Sequence, residues 1–201
     1  MVGVSRYSSS MGISTVELET ERLTLRQARA DDAAAIQSYR SLPEVSKFQS
    51  WTTFDAADAT RLVDDQSDLA IDTPNFWYQL VLVAKVSRSV IGDLALHFRE
   101  DDHRQVEVGI NLAPTEQGNG LAAEALQCVL NYLFGELGKH RVLAITDAAN
   151  ENAAALFRRV GFRQEGHFLD HVLFKGSYGS EYLFALLARE WQTSASETSG
   201  R

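Results

Sequence analysis

Gln117-Gly118-Asn119-Gly120-Leu121-Ala122 separates two unlike patterns in this chain. Before it lie short segments rich in aromatic and β-branched residues. After it, apolar residues fall at Leu121, Ala125, Leu126, Val129, Leu130, Leu133 and Phe134, which is helical spacing over about four turns. A glycine-containing turn that leads from a strand into a long amphipathic helix is physically an anion site. The first-turn N–H groups of a helix have no partner inside the helix. They converge on one spot and carry the positive end of the helix dipole. Glycines at 118 and 120 remove side chains, so a phosphate can approach the backbone. A loop whose glycines only turn the chain is the plainer alternative.

Working outward toward the N-terminus, residues 105–112 alternate and end near Pro114, which predicts a strand. Residues 76–85 and 89–98 read as two more, with Gly92 marking a bulge or bend. Short polar turns between the three predict antiparallel pairing. A first strand is expected over 22–26 and a helix over 33–41 that Asp31 or Asp32 can cap. Pro43 breaks the pattern, and a second helix is expected over 55–68. Toward the C-terminus, Gly138 stops the long helix, 141–146 is a short strand, and 151–160 is a helix between Asn150 and Gly161. Residues 162–167, 170–174 and 182–187 read as late strands, with 175–179 as the turn between the last two. The order is α+β: a mostly antiparallel central sheet flanked by helices, in one domain over 15–191. The Ser-rich ends, 1–14 and 192–201, are expected to be disordered.

Composition narrows the function. The chain has 201 residues, 45% hydrophobic and 23% charged, which suits one globular domain with a sizeable core. No apolar run approaches the roughly 18 residues of a membrane span. Residues 1–10 lack the apolar core of a secretory signal, so the expected location is the cytoplasm. A net charge of −8 without a Lys/Arg-rich block argues against nucleic acid as a partner. Such a surface can attract a cationic amine or simply serve solubility. Cys128 is the one cysteine, so no internal disulfide or multi-thiolate metal site is available. Its place on an apolar helix face predicts inert packing. Histidines 97, 103, 140, 167 and 171 show no metal-ligand spacing, and no metal is expected.

Gly118, Gly120 and Ala123 also satisfy the dinucleotide pattern G-x-G-x-x-A. Antiparallel strands before the turn, and the gap between Leu112 and Gly118, count against a doubly wound parallel sheet. A nicotinamide-dependent oxidoreductase stays open as a lesser alternative. A nucleotide P-loop does not, since no Gly-Lys-Ser/Thr follows.

Gln117-x-x-Gly120-x-Ala122 resembles the Q/R-x-x-G-x-G/A signature of the GNAT N-acetyltransferase superfamily. Glu107-Val108-Gly109-Ile110 resembles its strand before the loop, and Gly120-Leu121-Ala122-Ala123-Glu124-Ala125 its helix start. Asn150 through Gly161-Phe162, Thr20 through Arg26, and Ala188-Arg189-Glu190-Trp191 extend the resemblance over about 18–191, in the branch that includes ribosomal-protein N-terminal alanine/serine acetyltransferases. The resemblance implies a splayed strand pair that holds acetyl-CoA as co-substrate. Its pyrophosphate would rest on Gln117, Gly118, Asn119, Gly120, Leu121 and Ala122. Asn111, Leu112 and Ala113 would face the pantetheine and thioester, with a backbone N–H as oxyanion donor. Asn150 would bond the pantetheine arm, or act only as a helix cap.

The resemblance further implies acetyl transfer to a primary amine, such as a protein N-terminus, an amino acid, a polyamine or an amine antibiotic. Most alkyl amines are protonated at neutral pH, so a base must act before attack. Glu107 holds the position where the family often carries that base. Glu181 and Asp170 are secondary candidates. Phe157 stands where many relatives place a tyrosine acid, and Ala153 where the ribosomal-protein branch has serine. Acid assistance to the leaving thiolate is therefore expected to be weak. The same gaps leave a non-catalytic acyl-CoA-binding regulatory module as an alternative. Phe48 and Trp51, with Trp77 and Tyr78, are candidates for an acceptor pocket. The sequence gives no clear oligomeric state, a homodimer through the late strands being compatible with it, and no membrane partner is expected.

Overall fold

The computed structural model describes residues 6–10 and 13–198. Nine described strands form one sheet: β1 (Arg6–Ser10), β2 (Ile13–Glu19), β3 (Leu23–Gln27), β4 (Trp77–Ala84), β5 (Val90–Phe98), β6 (Gln105–Leu112), β7 (Arg141–Asp147), β8 (Arg163–Phe174) and β9 (Ser177–Leu187). Their order is β1-β2-β3-β4-β5-β6-β7-β9-β8. Every neighbouring pair is antiparallel except β6 and β7, which run parallel. This mixed α+β sheet is the expected class.

Helices cover both faces. Helix α1 (Ala33–Arg40), the short α2 (Pro43–Ser46) and α3 (Ala56–Asp64) precede β4. Helix α4 (Leu121–Asn131) is extended by a wider turn over Tyr132–Glu136 and stops at Gly138, whose φ is +61°. Helix α5 (Glu151–Val160) and α6 (Ala188–Thr198) follow. Alternation in β4 sends Leu80 and Leu82 to the core under α4 and α5, and Val81 to a second cluster with Ile36, Tyr39, Ala59 and Val63 of α1 and α3. Both faces of the central strands are thus buried, which explains their almost continuous apolar runs.

Several expectations need correction. The segments read as strands over 162–167 and 170–174 are one strand, β8, with register shifts at Gln164/Gly166 and Phe168/Val172. Asp170, at φ +46°, lies in the second shift, which the sequence shows as a break. The turn read over 175–179 is only Lys175-Gly176, both at positive φ. The helix read to 68 ends at Asp64 and is capped by Asp55, which accepts from Ala57 and Asp58 N–H. Asp32 does not cap α1. It accepts the Arg29 N–H at 2.8 Å and pairs with Arg26 at 2.7 Å. The ends read as disordered contain β1, part of β2 and the last turns of α6. A backbone ladder onto the edge of β3 needs no apolar periodicity, so the sequence carries little signal for it. Residues 1–5, 11–12 and 199–201 of those ends lie outside the described residues.

Candidate active site

The parallel pair β6–β7 makes the site. Its ladder holds only Gln105↔Arg141, Val106↔Val142 and Glu107↔Leu143, and then the strands part. Antiparallel pairing gives alternate residues of β6 to β5. Ala113 N–H donates to Ile91 O at 2.8 Å, and Arg99 N–H to Gln105 O at 3.3 Å, so odd-numbered residues of β6 bond β5. Even-numbered residues turn their N–H and C=O toward β7. Beyond Glu107↔Leu143, the N–H groups of Ile110 and Leu112 therefore face the gap between strands. By the same alternation the Asn111 and Ala113 N–H groups are committed to β5, so of the three expected residues only Leu112 turns its N–H to the gap, as Ile110 also does.

The glycine turn lies at the far end of this gap. A 3₁₀ turn, Pro114–Glu116, leads from β6 into it. Gly118 and Gly120 both sit at φ +79°, where a side chain would strain the backbone. Glu124 N–H closes the first α4 bond to Gly120 O, so Leu121, Ala122 and Ala123 present the unbonded first-turn donors. Asn119 supplies backbone to the turn, and its carbonyl accepts from Arg22 at 2.9 Å. The Arg22 guanidinium also bonds Glu124 at 2.6 Å, tying β3 to the turn. The side chain of Gln117 points back and donates to Leu112 O at 3.0 Å. A bare cradle of this shape, open between two strands, fits a pyrophosphate with a linear arm.

A cavity of about 890 Å³ opens at the gap. It is lined by Glu107, Gly109, Ile110 and Asn111 from β6, by Ile145 and Asp147 from β7, and by Asn150, Ala153 and Phe157 from α5. Phe48 and Trp51 line it too, together with Phe54, Phe76, Trp77 and Glu181. Residues 117–122 lie outside it. Tyr78 points into the core on the opposite face, because neighbouring strand residues alternate. Asp170 is outside as well. Glu107 and Glu181 thus share the cavity, and the third candidate base does not.

Burial pushes the Glu107 carboxyl above the ordinary carboxylate value; Arg99 pulls it down and Glu181 pushes it up. Glu181 pairs with His171 at 3.1 Å. His97 lies opposite Glu107 in the β5–β6 ladder and stacks on Trp77 at 4.8 Å. Asn150 caps α5 through its oxygen, which accepts Ala153 N–H at 3.1 Å, and the residue also lines the cavity. Phe157 packs against Phe162 and Phe184 with its edge on the cavity. Burial pushes the Cys128 thiol up to about 11, with Glu124 adding to it. Among the described residues no group of three or more His, Cys, Asp or Glu side chains could hold a metal. Among the described residues no helix is long and apolar enough to cross a membrane.

Sequence reasoning missed Asp93, Arg40, Gln79 and Gln49. Asp93 is fully buried yet central: Arg40, Gln79, Tyr39 and Asn111 all donate to it. A lone charged residue inside the apolar run Val90-Ile91-Gly92-Asp93-Leu94 was the available signal. The dinucleotide reading fails on geometry, since β5 and β6 are antiparallel and a 3₁₀ turn separates β6 from α4.

A family profile described as "Acetyltransferase (GNAT) domain" matches residues 22–163. The chain is 31% identical over 175 residues to "Uncharacterized N-acetyltransferase p20" of Bacillus licheniformis, covering 87% of this chain and 97% of that protein. Its fold is similar to ribosomal-protein-S5-alanine acetyltransferase from Vibrio fischeri, with a TM-score of 0.75 and 20% identity, over 88% of this chain and 98% of that one. It is also similar to spermidine N-acetyltransferase from Vibrio cholerae in complex with CoA and spermine, with a TM-score of 0.74 and 22% identity, over 86% and 99%. A profile match running from β3 to the start of β8, joined to that identity over most of the chain, makes this protein a member of the GNAT acetyltransferase family and an acetyl-CoA-dependent acyltransferase.

Proposed function

We propose that this protein transfers the acetyl group of acetyl-CoA to a primary amine, a protein N-terminus or a small-molecule amine, by direct attack in a ternary complex. The observation that carries the reading is the gap between β6 and β7, which joins the glycine turn to a cavity holding Glu107. Acetyl-CoA, when bound, supplies an activated acyl group and a good leaving thiolate. The first-turn N–H groups of α4 and residues 117–122 hold pyrophosphate. Ile110 and Leu112 N–H, turned toward the gap, would supply donors for the thioester carbonyl oxygen. Glu107, raised by burial, takes the proton of the incoming ammonium, directly or through water.

The cavity suits a cation. Asp65, Glu107, Asp147 and Glu181 line it, whereas the lining arginines are paired, Arg40 with Asp93 and Arg61 with Asp58. Related folds named for spermidine and for a ribosomal-protein alanine both imply amine acceptors. Thiol release from acetyl-CoA across a panel of polyamines, amino acids and peptide N-termini tests the reading. Release well above hydrolysis with at least one amine is expected. Tight CoA binding with no release for any amine would instead support a non-catalytic acyl-CoA-binding module. Leu169, Leu173 and Tyr178 are exposed on the β8–β9 hairpin, whose outer strand is a sheet edge, and support a homodimer through it. Light scattering at micromolar concentration checks that, and a monomeric mass would exclude it.

A further inference from the structure

Asp93 sits where β5 is irregular. The β4–β5 register shifts beside it, between Leu82 and Val83, and leaves Ile91 without a β4 partner. Gly92 lets β6 come close: a Cβ there would lie 2.3 Å from Asn111 O. At this crossing the carboxylate accepts Tyr39 Oη at 2.5 Å, Arg40 Nε at 2.9 Å and Nη2 at 2.7 Å, Gln79 Nε2 at 2.8 Å and Asn111 Nδ2 at 3.1 Å. Its acceptor capacity is filled.

Two arms leave the carboxylate. Through Arg40 it reaches the acceptor wall. The guanidinium lies 4.8 Å from the Trp51 ring centroid and 5.3 Å from that of Phe54, and Arg40 O accepts Trp51 Nε1 at 3.2 Å. Through Asn111 it reaches the cofactor strand, between the two residues whose N–H groups face the gap. Asn111 Oδ1 in turn accepts Gln49 Nε2 at 2.9 Å, which ties that strand to the segment carrying Phe48 and Trp51. Apolar packing alone could dock α1 on β5, and buried ion pairs are seldom a net source of stability. A closed polar ring does something packing cannot: it fixes directions.

We propose that Asp93 is a positioning residue that holds the acceptor wall and the thioester-facing strand in one register, through Arg40 on one side and Asn111 and Gln49 on the other. The proposal rests on the transferase reading above. Asp93→Asn and Gln49→Ala are compared with wild type by steady-state kinetics at saturating acetyl-CoA, with CoA affinity measured by calorimetry. Asp93→Asn is expected to lower kcat about tenfold or more and raise acceptor KM about fivefold, with CoA affinity within about threefold because the glycine turn is untouched. Gln49→Ala keeps every bond to Asp93, so the fold is spared, and raises acceptor KM about threefold. Loss of folded protein alone lowers apparent kcat and leaves KM in place. An unmoved KM in both variants overturns the positioning role. If Asp93→Asn does not fold, Gln49→Ala decides by the same criterion. Turnover by wild type with unchanged variants sinks only the positioning role, whereas no turnover by wild type with any amine sinks the transferase reading and this proposal together.

Discussion

Glu107 joins three facts: a strand position facing the cavity, partial burial, and Glu181 across the cavity. Burial, opposed by Arg99 and reinforced by Glu181, raises its carboxyl above the ordinary value of about 4.3. A stronger base results, and one that must lose its proton before it can act. The acid limb of kcat/KM should therefore lie above the ordinary carboxylate range, with activity rising as pH rises through it. Glu107→Gln should lower kcat by about 10²-fold or more and abolish that limb. A variant with wild-type rates and the same limb would remove Glu107 from the reaction. Phe157 is the opposite case. It packs against Phe162 and Phe184 with its ring on the cavity, and a thiol of pKa about 8.5 leaves readily without an acid. Phe157→Tyr should change thiol release by less than about tenfold, measured in single turnover. A gain of orders of magnitude would show that the missing acid limits the rate. The setting of Glu107, on the strand before the glycine turn, was legible in the sequence from residue alternation. That of Asp93 was not, because its five bonds come from Tyr39, Arg40, Gln79 and Asn111, and no spacing rule brings those residues together.

At the scale of elements, the parting of β6 from β7 depends on how β7 is held on its other side. β7 pairs with β9 along its whole length, from Arg141↔Leu187 to Asp147↔Glu181. Arg141 also reaches across β9 to Glu165 of β8, and Arg163 joins the same carboxylate. The Arg141 hydrogen bonds, against burial and helped by Arg163, hold the Glu165 carboxyl down at about 2. A lowered carboxyl stabilises the fold above its unfolded value, and the benefit fades as pH falls toward about 2. Glu165→Gln should lower Tm by about 2–4 °C at neutral pH, since surface-accessible ion pairs contribute about 1 kcal/mol at most. The gap between wild type and variant should close as the pH is taken down to about 2. A gap independent of pH would mean that packing, not charge, joins these strands. Helix α4 and its glycine turn were readable at this scale because 3.6-residue periodicity and two glycines one residue apart are local signals. The union of two expected strands into β8 was not, because Asp170 at positive φ interrupts the pattern without ending the strand.

Across the whole molecule, the net charge of −8 is partly focused in the cavity, whose lining includes Asp65, Glu107, Asp147 and Glu181 while its arginines are paired. A polycationic acceptor should therefore show a KM that rises severalfold from low to about 0.5 M salt, where screening lengths shrink below the cavity's dimensions. A flat KM for such an amine would show that the aromatic walls, not the charge, carry acceptor binding. The order of strands from β3 to β7, the antiparallel run before the glycine turn, and helix α4 after it were determined by the sequence itself. All follow from periodicity and from residue types acting over a few neighbours. Where β6 leaves β7, which N–H groups then face the gap, and how Asp93 gathers its donors were decided only by the tertiary structure. Register is a property of two strands at once, and a buried carboxylate finds its partners through space rather than along the chain. The glycine turn is thus a local feature, whereas the site it serves is the product of a nine-stranded sheet that opens at one seam.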